Sequence, residues 1–210
     1  MQKNESWKKN EERDYKLNTI LYEDSEHGEM PIDVYQKLAN NRILFITGPI
    51  DDNLASDITA TLLLKDQEDP DKKIVLFINS PGGDIRNVFM IYDMIQMIDA
   101  PVETVCIGEA FFEAAILLAA GDPGSRFATK NSIIAVGQLE QHFHTQTDMV
   151  NAKKMLDLFA EDNQRMMKVI AETSGKTLKQ VMMNFDRTVF MTAVKAAKYG
   201  LVDKVITFSK

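Results

Sequence analysis

Residues Cys106–Gly121 read CIGEAFFEAAILLAAG, and the fold follows from how that stretch divides. Its lead-in, Val102–Ile107, is rich in residues that suit a buried strand. Gly108 permits a sharp bend. Phe112–Ala120 is apolar almost all round, the mark of a short helix buried on every side. Strand, tight turn and buried helix is the layout of a nucleophile elbow, in which the first helical residue stands at a pocket beside backbone N–H groups. The corner here carries Phe112 and then Glu113, neither Ser nor Cys. The layout of a hydrolase site is present without its nucleophile.

Outward from this stretch, strands and helices alternate. Upstream, Arg42–Thr47 (RILFIT) and Ile74–Asn79 (IVLFIN) read as strands, the second apolar on both faces as in a parallel sheet covered by helices. Asp51–Lys65 is an amphipathic helix capped by Asp51 or Asp52, with Leu54, Ile58, Leu62 and Leu63 on one side. The loop Asp66–Lys73 is polar. Ser80-Pro81-Gly82-Gly83 precedes a helix from Asp84 to about Ile98. Nearer the start, Tyr22–Pro31 reads as acidic loop and Ile32–Ala39 as a short helix with Ile32, Tyr35 and Leu38 on one face.

Downstream, Gly121–Thr129 is turn-rich, Ser132–Val136 is a strand, and Gly137–Thr145 (GQLEQHFHT) is an extended excursion. A long helix follows from about Asp148 to Thr173. Its apolar positions Met149, Ala152, Leu156, Phe159, Met166 and Ile170 keep a 3–4 spacing that Asn163 interrupts, and Gly175 ends it. Thr177 and Gln180 form a capping-box pattern for the next helix. Thr192–Tyr199 is a short helix stopped by Gly200, and Val202–Thr207 is a final strand. This order, with right-handed crossovers, is an α/β layered domain.

The chain has 210 residues, enough for one domain and a tail, and 45% of them are hydrophobic, enough for a full core. A net charge of -7 argues against binding a phosphate backbone, so no nucleic-acid partner is expected. The single cysteine, Cys106, excludes an intrachain disulfide and fits a reducing compartment; its strand setting reads as core. No apolar run reaches the roughly 20 residues of a membrane span, and the polar N-terminus lacks the apolar core of a secretory signal. A cytoplasmic protein without membrane attachment is expected. Met1–Lys16 is highly charged and reads as a mobile arm, with Trp7 and Tyr15 as exposed aromatics.

The blocks GPIDDNLASDI, FINSPGGDI, MIYDMIQMI, CIGEAFFEAAILLAAG, RFATKNS and FMTAVKAAKYGLVDKV, in this order and spacing, closely resemble the Clp proteolytic subunit family (ClpP), self-compartmentalising serine peptidases. The likeness runs from about Asp33 to Val205. It implies the ClpP/crotonase fold, stacked βαβ units with a protruding handle at about 138–173, formed by Gln138–Thr145 and the long helix behind it. Residues 1–31 would be an N-terminal arm or axial segment, and 32–210 the ClpP-like domain. It also implies heptameric rings stacked in pairs around a chamber, built from copies of this chain or from paralogous ClpP subunits. Docking of a AAA+ Clp unfoldase, with polypeptide substrates reaching the chamber indirectly, follows from the same likeness. The docking pocket of the family lies near Ile74–Asn79, where Phe77 is the aromatic expected to form it.

The resemblance places the catalytic triad at Phe112, Gly137 and Thr188, where the family carries Ser, His and Asp; none of the three is intact. A Ser-His-Asp site needs a hydroxyl, an imidazole to take its proton and a carboxylate to fix the tautomer. The oxyanion-hole amides would be those of Gly83 and Glu113, and the Glu113 carboxylate would sit against any developing oxyanion. The family's substrate-strand glycines give way to Glu140-Gln141-His142. The leading expectation is therefore a catalytically inactive ClpP-like subunit, without cofactor or metal, with Phe112 plugging the vacated pocket. A peptidase with a non-standard site is the alternative, and a crotonase-like acyl-CoA lyase or isomerase using Glu113 and Glu140 a more distant one. His142 and His144 alternate on one side of an extended segment, which suits a metal or a pH sensor, but solvated histidines are the commoner outcome and no third ligand is in view. Asp186 reads as a structural charge paired with Arg187 rather than a substitute acid.

Overall fold

The computed structural model describes residues 20–25, 28–140 and 148–207. The arm Met1–Lys16 with Trp7 and Tyr15, and the histidines His142 and His144, lie outside the described residues. A two-stranded antiparallel hairpin, β1 (Ile20–Ser25) and β2 (Gly28–Asp33), stands where the acidic composition predicts a loop. Its ladder is made by backbone groups, which polar side chains do not prevent. Asp33 then caps α1 (Val34–Asn40), its carboxylate accepting from the Tyr35 and Gln36 amides.

The main body alternates β3 (Ile43–Thr47), α2 (Asp52–Glu68), β4 (Ile74–Ser80), α3 (Ile85–Met97), β5 (Val102–Phe111), α4 (Glu113–Ala119), β6 (Arg126–Thr129) and β7 (Ile133–Val136). There follow α5 (Met149–Ser174), α6 (Leu178–Asn184), β8 (Val189–Thr192), α7 (Ala193–Tyr199) and β9 (Lys204–Ile206). Strands β3, β4, β5, β6 and β9 form a parallel path in that order, while β7 joins β5 in parallel and carries β8 antiparallel. This mixed α/β body with a mostly parallel central sheet is the layered architecture that the alternating pattern predicts.

β5 changes partner along its length. Thr104–Cys106 pairs with β6, and Glu109–Phe111 pairs with β7. Gly108 stands between the two halves with φ +85°, and a Cβ there would meet Asn79 Oδ1 at 2.5 Å. The same Asn79 oxygen accepts the Glu109 N–H. The bend expected at Gly108 is therefore a kink inside one strand, not its end.

β4 alternates: Ile74, Leu76, Ile78 and Ser80 are buried, and Val75, Phe77 and Asn79 are half-buried. Its second face is thus less covered than a doubly wrapped sheet requires. On α2 the buried positions are Ala55, Ile58, Leu62 and Lys65; Leu63, expected inside, is 42% exposed. Lys65 tolerates burial because its ammonium reaches the surface carboxylate of Glu68. β6 and β8 also arise where composition gives turn or no signal, each only four residues long. α5 is capped by Asp148 and ends on Gly175 at φ +66°. Its C-terminal half buries Met166, Met167 and Ile170, whereas Met149 and Leu156 near its start are 89% and 56% exposed. Among the described residues no helix is long and apolar enough to cross a membrane.

Candidate functional site

Two turns face each other at the end of β4 and β5. The first is Ser80–Gly83. The Gly82 N–H donates to Ser80 Oγ at 3.1 Å, the Ile50 N–H donates to Gly82 O at 3.0 Å, and the Asp84 N–H donates to Ile50 O at 3.1 Å. Gly83 forms a parallel bridge with Ile50, and a Cβ at Gly83 would overlap the Ile50 backbone. Glycine is required there by close approach. Pinned on that side, Gly83 directs its N–H across to the second turn.

The second turn is the elbow. Phe112 holds φ +49° and ψ -111° immediately before α4. For a bulky side chain a positive φ costs about 1–3 kcal/mol. Two features hold it. The Phe112 N–H donates to Ala135 O of β7 at 2.8 Å. Every α4 residue after Glu113 is buried, which fixes the helix the elbow leads into. The elbow backbone is present; its side chain is an aromatic ring, half-buried and edge-on to Phe111 at 6.5 Å.

The Glu113 side chain enters the space between the turns. The Gly83 N–H donates to Glu113 Oε2 at 3.3 Å. A Cβ at Gly82 would overlap that same oxygen. Burial raises the carboxyl pKa most; hydrogen bonds from its own N–H and from the Gly83 N–H pull it down, and the charges of Asp84 and Glu140 push it up again, leaving it raised overall.

Gly137 and Thr188 meet as continuations of the β7–β8 ladder beyond Val136 and Val189. A Cβ at Gly137 would lie 2.6 Å from Thr188 Oγ1 and 3.1 Å from its Cα. β7 therefore gathers the three positions, holding Phe112 through Ala135 and Gly137 against Thr188. The three positions thus lie together at the end of β7. Phe112 and Gly137 bring no proton-transferring group to it, and Thr188 brings a solvent-exposed hydroxyl.

The segment that leaves Gly137 is clamped. The Leu139 N–H donates to Asn163 Oδ1 at 3.1 Å, Asn163 Nδ2 donates to Gln138 Oε1 at 2.6 Å, and Gln138 Nε2 donates to Phe185 O at 2.8 Å. Asn163, which looks like a flaw in the apolar stripe of α5, ties α5 and α6 to this segment. Glu140 follows, exposed. Asp186 and Arg187 are both exposed, and among the described residues they form no ion pair with each other, because the chain turns to solvent there. Cys106 is fully buried, and burial pushes its thiol up to about 11, which leaves it inert. Among the described residues no cluster of His, Cys, Asp and Glu could hold a metal ion.

Phe77 lies in an aromatic row on the less covered face of the sheet. It stacks on Phe45 at 5.2 Å, and Tyr35 meets Phe45 edge-on at 5.5 Å. The groove beside the row is lined by Tyr35, Ile43, Phe45, Leu54 and Thr61, with Phe77 behind Phe45. Sequence reasoning singled out the backing residue and missed the two that face the groove; the period-two alternation of β3 carried the signal for Phe45.

Among protein families, the model for Clp protease matches residues 26–209.

Proposed function

The chain belongs to the Clp protease family, and from that membership we propose that it is a non-catalytic ClpP-like subunit. It works beside active ClpP subunits, contributing surface to their rings and chamber and to the docking of a AAA+ unfoldase. The observation that carries this reading is the elbow. Its backbone is formed and held, yet it presents Phe112, and the neighbouring base position is Gly137 with no side chain at all. A peptidase of this type cannot form its acyl intermediate without a nucleophile at that corner. The row Tyr35, Phe45 and Phe77 supports a docking role, since an apolar groove of this kind suits the apolar anchor of a partner.

The test is peptidase activity of the purified chain on a small fluorogenic peptide, with a fluorophosphonate probe for an activated serine. No hydrolysis and no labelling are expected, because removing even one member of such a triad costs several orders of magnitude in rate. Turnover blocked by the probe overturns the reading. The triple change Phe112→Ser, Gly137→His, Thr188→Asp is expected to leave activity far below that of an active ClpP. A Cβ at Gly137 would crowd residue 188, lying 3.1 Å from its Cα, so an imidazole there needs the two positions to shift.

A further inference from the structure

We propose that the amides of Gly83 and Glu113 are permanently engaged by the Glu113 carboxylate, so that the site is closed by a ligand belonging to the chain itself. The inference rests on the proposed function only for the identity of those amides as the former oxyanion hole. Three observations on different elements meet at one oxygen. Gly83 is fixed by its bridge to Ile50 with its N–H aimed at the elbow, and that N–H donates to Glu113 Oε2. The carboxylate lies directly over Gly82, where a Cβ would overlap its Oε2. Glu113 directly follows the strained elbow at Phe112, and its own N–H also donates to the carboxylate.

An oxyanion hole stabilises negative charge on a carbonyl oxygen of the substrate by donating from preorganised amides. A carboxylate oxygen is the same kind of acceptor with the charge already present. Bound there, it resembles the C-terminal carboxylate of a cleaved peptide resting against its enzyme. Two consequences follow. A peptide carbonyl finds the Gly83 amide taken and meets like charge. The two turns, from β4 and β5, are joined by a charge-assisted hydrogen bond that tightens the site instead of leaving it vacant.

Backbone hydrogen exchange read by mass spectrometry tests this on the assembled full-length protein, following peptides that cover Gly82–Asp84 and Phe112–Ala114. Glu113→Asp keeps the charge but withdraws it by one methylene, and Glu113→Gln keeps an oxygen in place without the charge. Exchange at Gly83 is expected to be about 10- to 100-fold faster in Glu113→Asp, as for loss of a hydrogen bond to a charged acceptor, and intermediate in Glu113→Gln. Unchanged melting temperature of Glu113→Asp shows that the fold is kept; should it fall, Glu113→Gln against wild type carries the comparison. Equal exchange at Gly83 in wild type and both variants overturns the proposal. Peptide hydrolysis by the wild-type chain would overturn the proposed function instead, whatever the exchange pattern, so the two readings fail separately.

Discussion

Glu113 carries its charge in a setting that disfavours charge. Burial outweighs the two amide hydrogen bonds, and Asp84 and Glu140 add to it, so the carboxyl titrates above its unfolded value. Relative to the unfolded chain, the fold therefore disfavours the charged form. Stability from this group is complete below the unfolded value, about pH 4.3, and declines as pH rises through the folded one. Glu113→Gln, neutral at every pH and shaped alike, is expected to melt a few degrees above wild type at pH 7.5. The gap should close on acidification toward pH 4. Thermal melts of both proteins across that range check it, and a variant less stable than wild type at pH 7.5 would show that the charge is stabilising. The corner itself is legible in sequence, because Phe112 and Glu113 stand directly before an apolar helix that the fold buries as α4. The Gly83–Glu113 contact is not. It joins residues 30 apart and depends on how two turns approach and which rotamer fills the gap.

An ion pair reinforces the β6–β9 ladder at its start. Asp203 accepts from Arg126 Nε at 2.8 Å and from Arg126 Nη2 at 2.6 Å, and the N–H groups of Gly124 and Arg126 donate to it as well. The Arg126 hydrogen bonds are the largest influence and hold the Asp203 carboxyl below its usual range. A depressed acid adds stability above its unfolded pKa and loses it as pH falls through the folded one. Asp203→Asn is expected to cost about 1–2 kcal/mol at pH 7, and less at an acidic pH below the unfolded carboxylate value of about 3.9, where the wild-type advantage declines toward the folded value. Denaturant midpoints at both pH values measure this; a pH-independent cost would assign the effect to packing. Strand β6 itself is hard to read from sequence. Four residues paired to Thr104–Cys106 on one side and to β9 on the other carry no local signal. The same holds for β8, whose partner β7 is distant in sequence, and for the acidic hairpin β1–β2. Caps, by contrast, are local. Of the two residues expected to cap α2, Asp51 does so, the Thr177–Gln180 box forms, and Gly175 ends α5 as its place in the sequence predicts.

The N-terminal part of α5 exposes Met149, Val150, Leu156 and Leu158, a run of apolar side chains that a lone subunit leaves in water. A second apolar group, Met183, Phe190 and Val194, is exposed on the side of α6, β8 and α7. Patches of this kind mark surfaces that another subunit covers. Sedimentation is expected to show a multi-subunit particle, alone or after mixing with an active ClpP. Met149→Glu with Leu156→Glu should shift it to smaller species while each chain keeps its far-UV spectrum, since neither residue contributes to the buried core. A clean monomer at roughly micromolar concentration under both conditions would count against assembly through these faces.

The bend at Phe112 has a meaning in descent. A corner that stays bent with a phenyl ring on it shows that the bend is enforced by Ala135 and by the buried α4, not by the residue that occupies it. Selection on chemistry and selection on shape therefore act on different codons. On the proposed non-catalytic role the corner codon is free to drift, whereas those of β7 and α4 stay constrained because the fold depends on them.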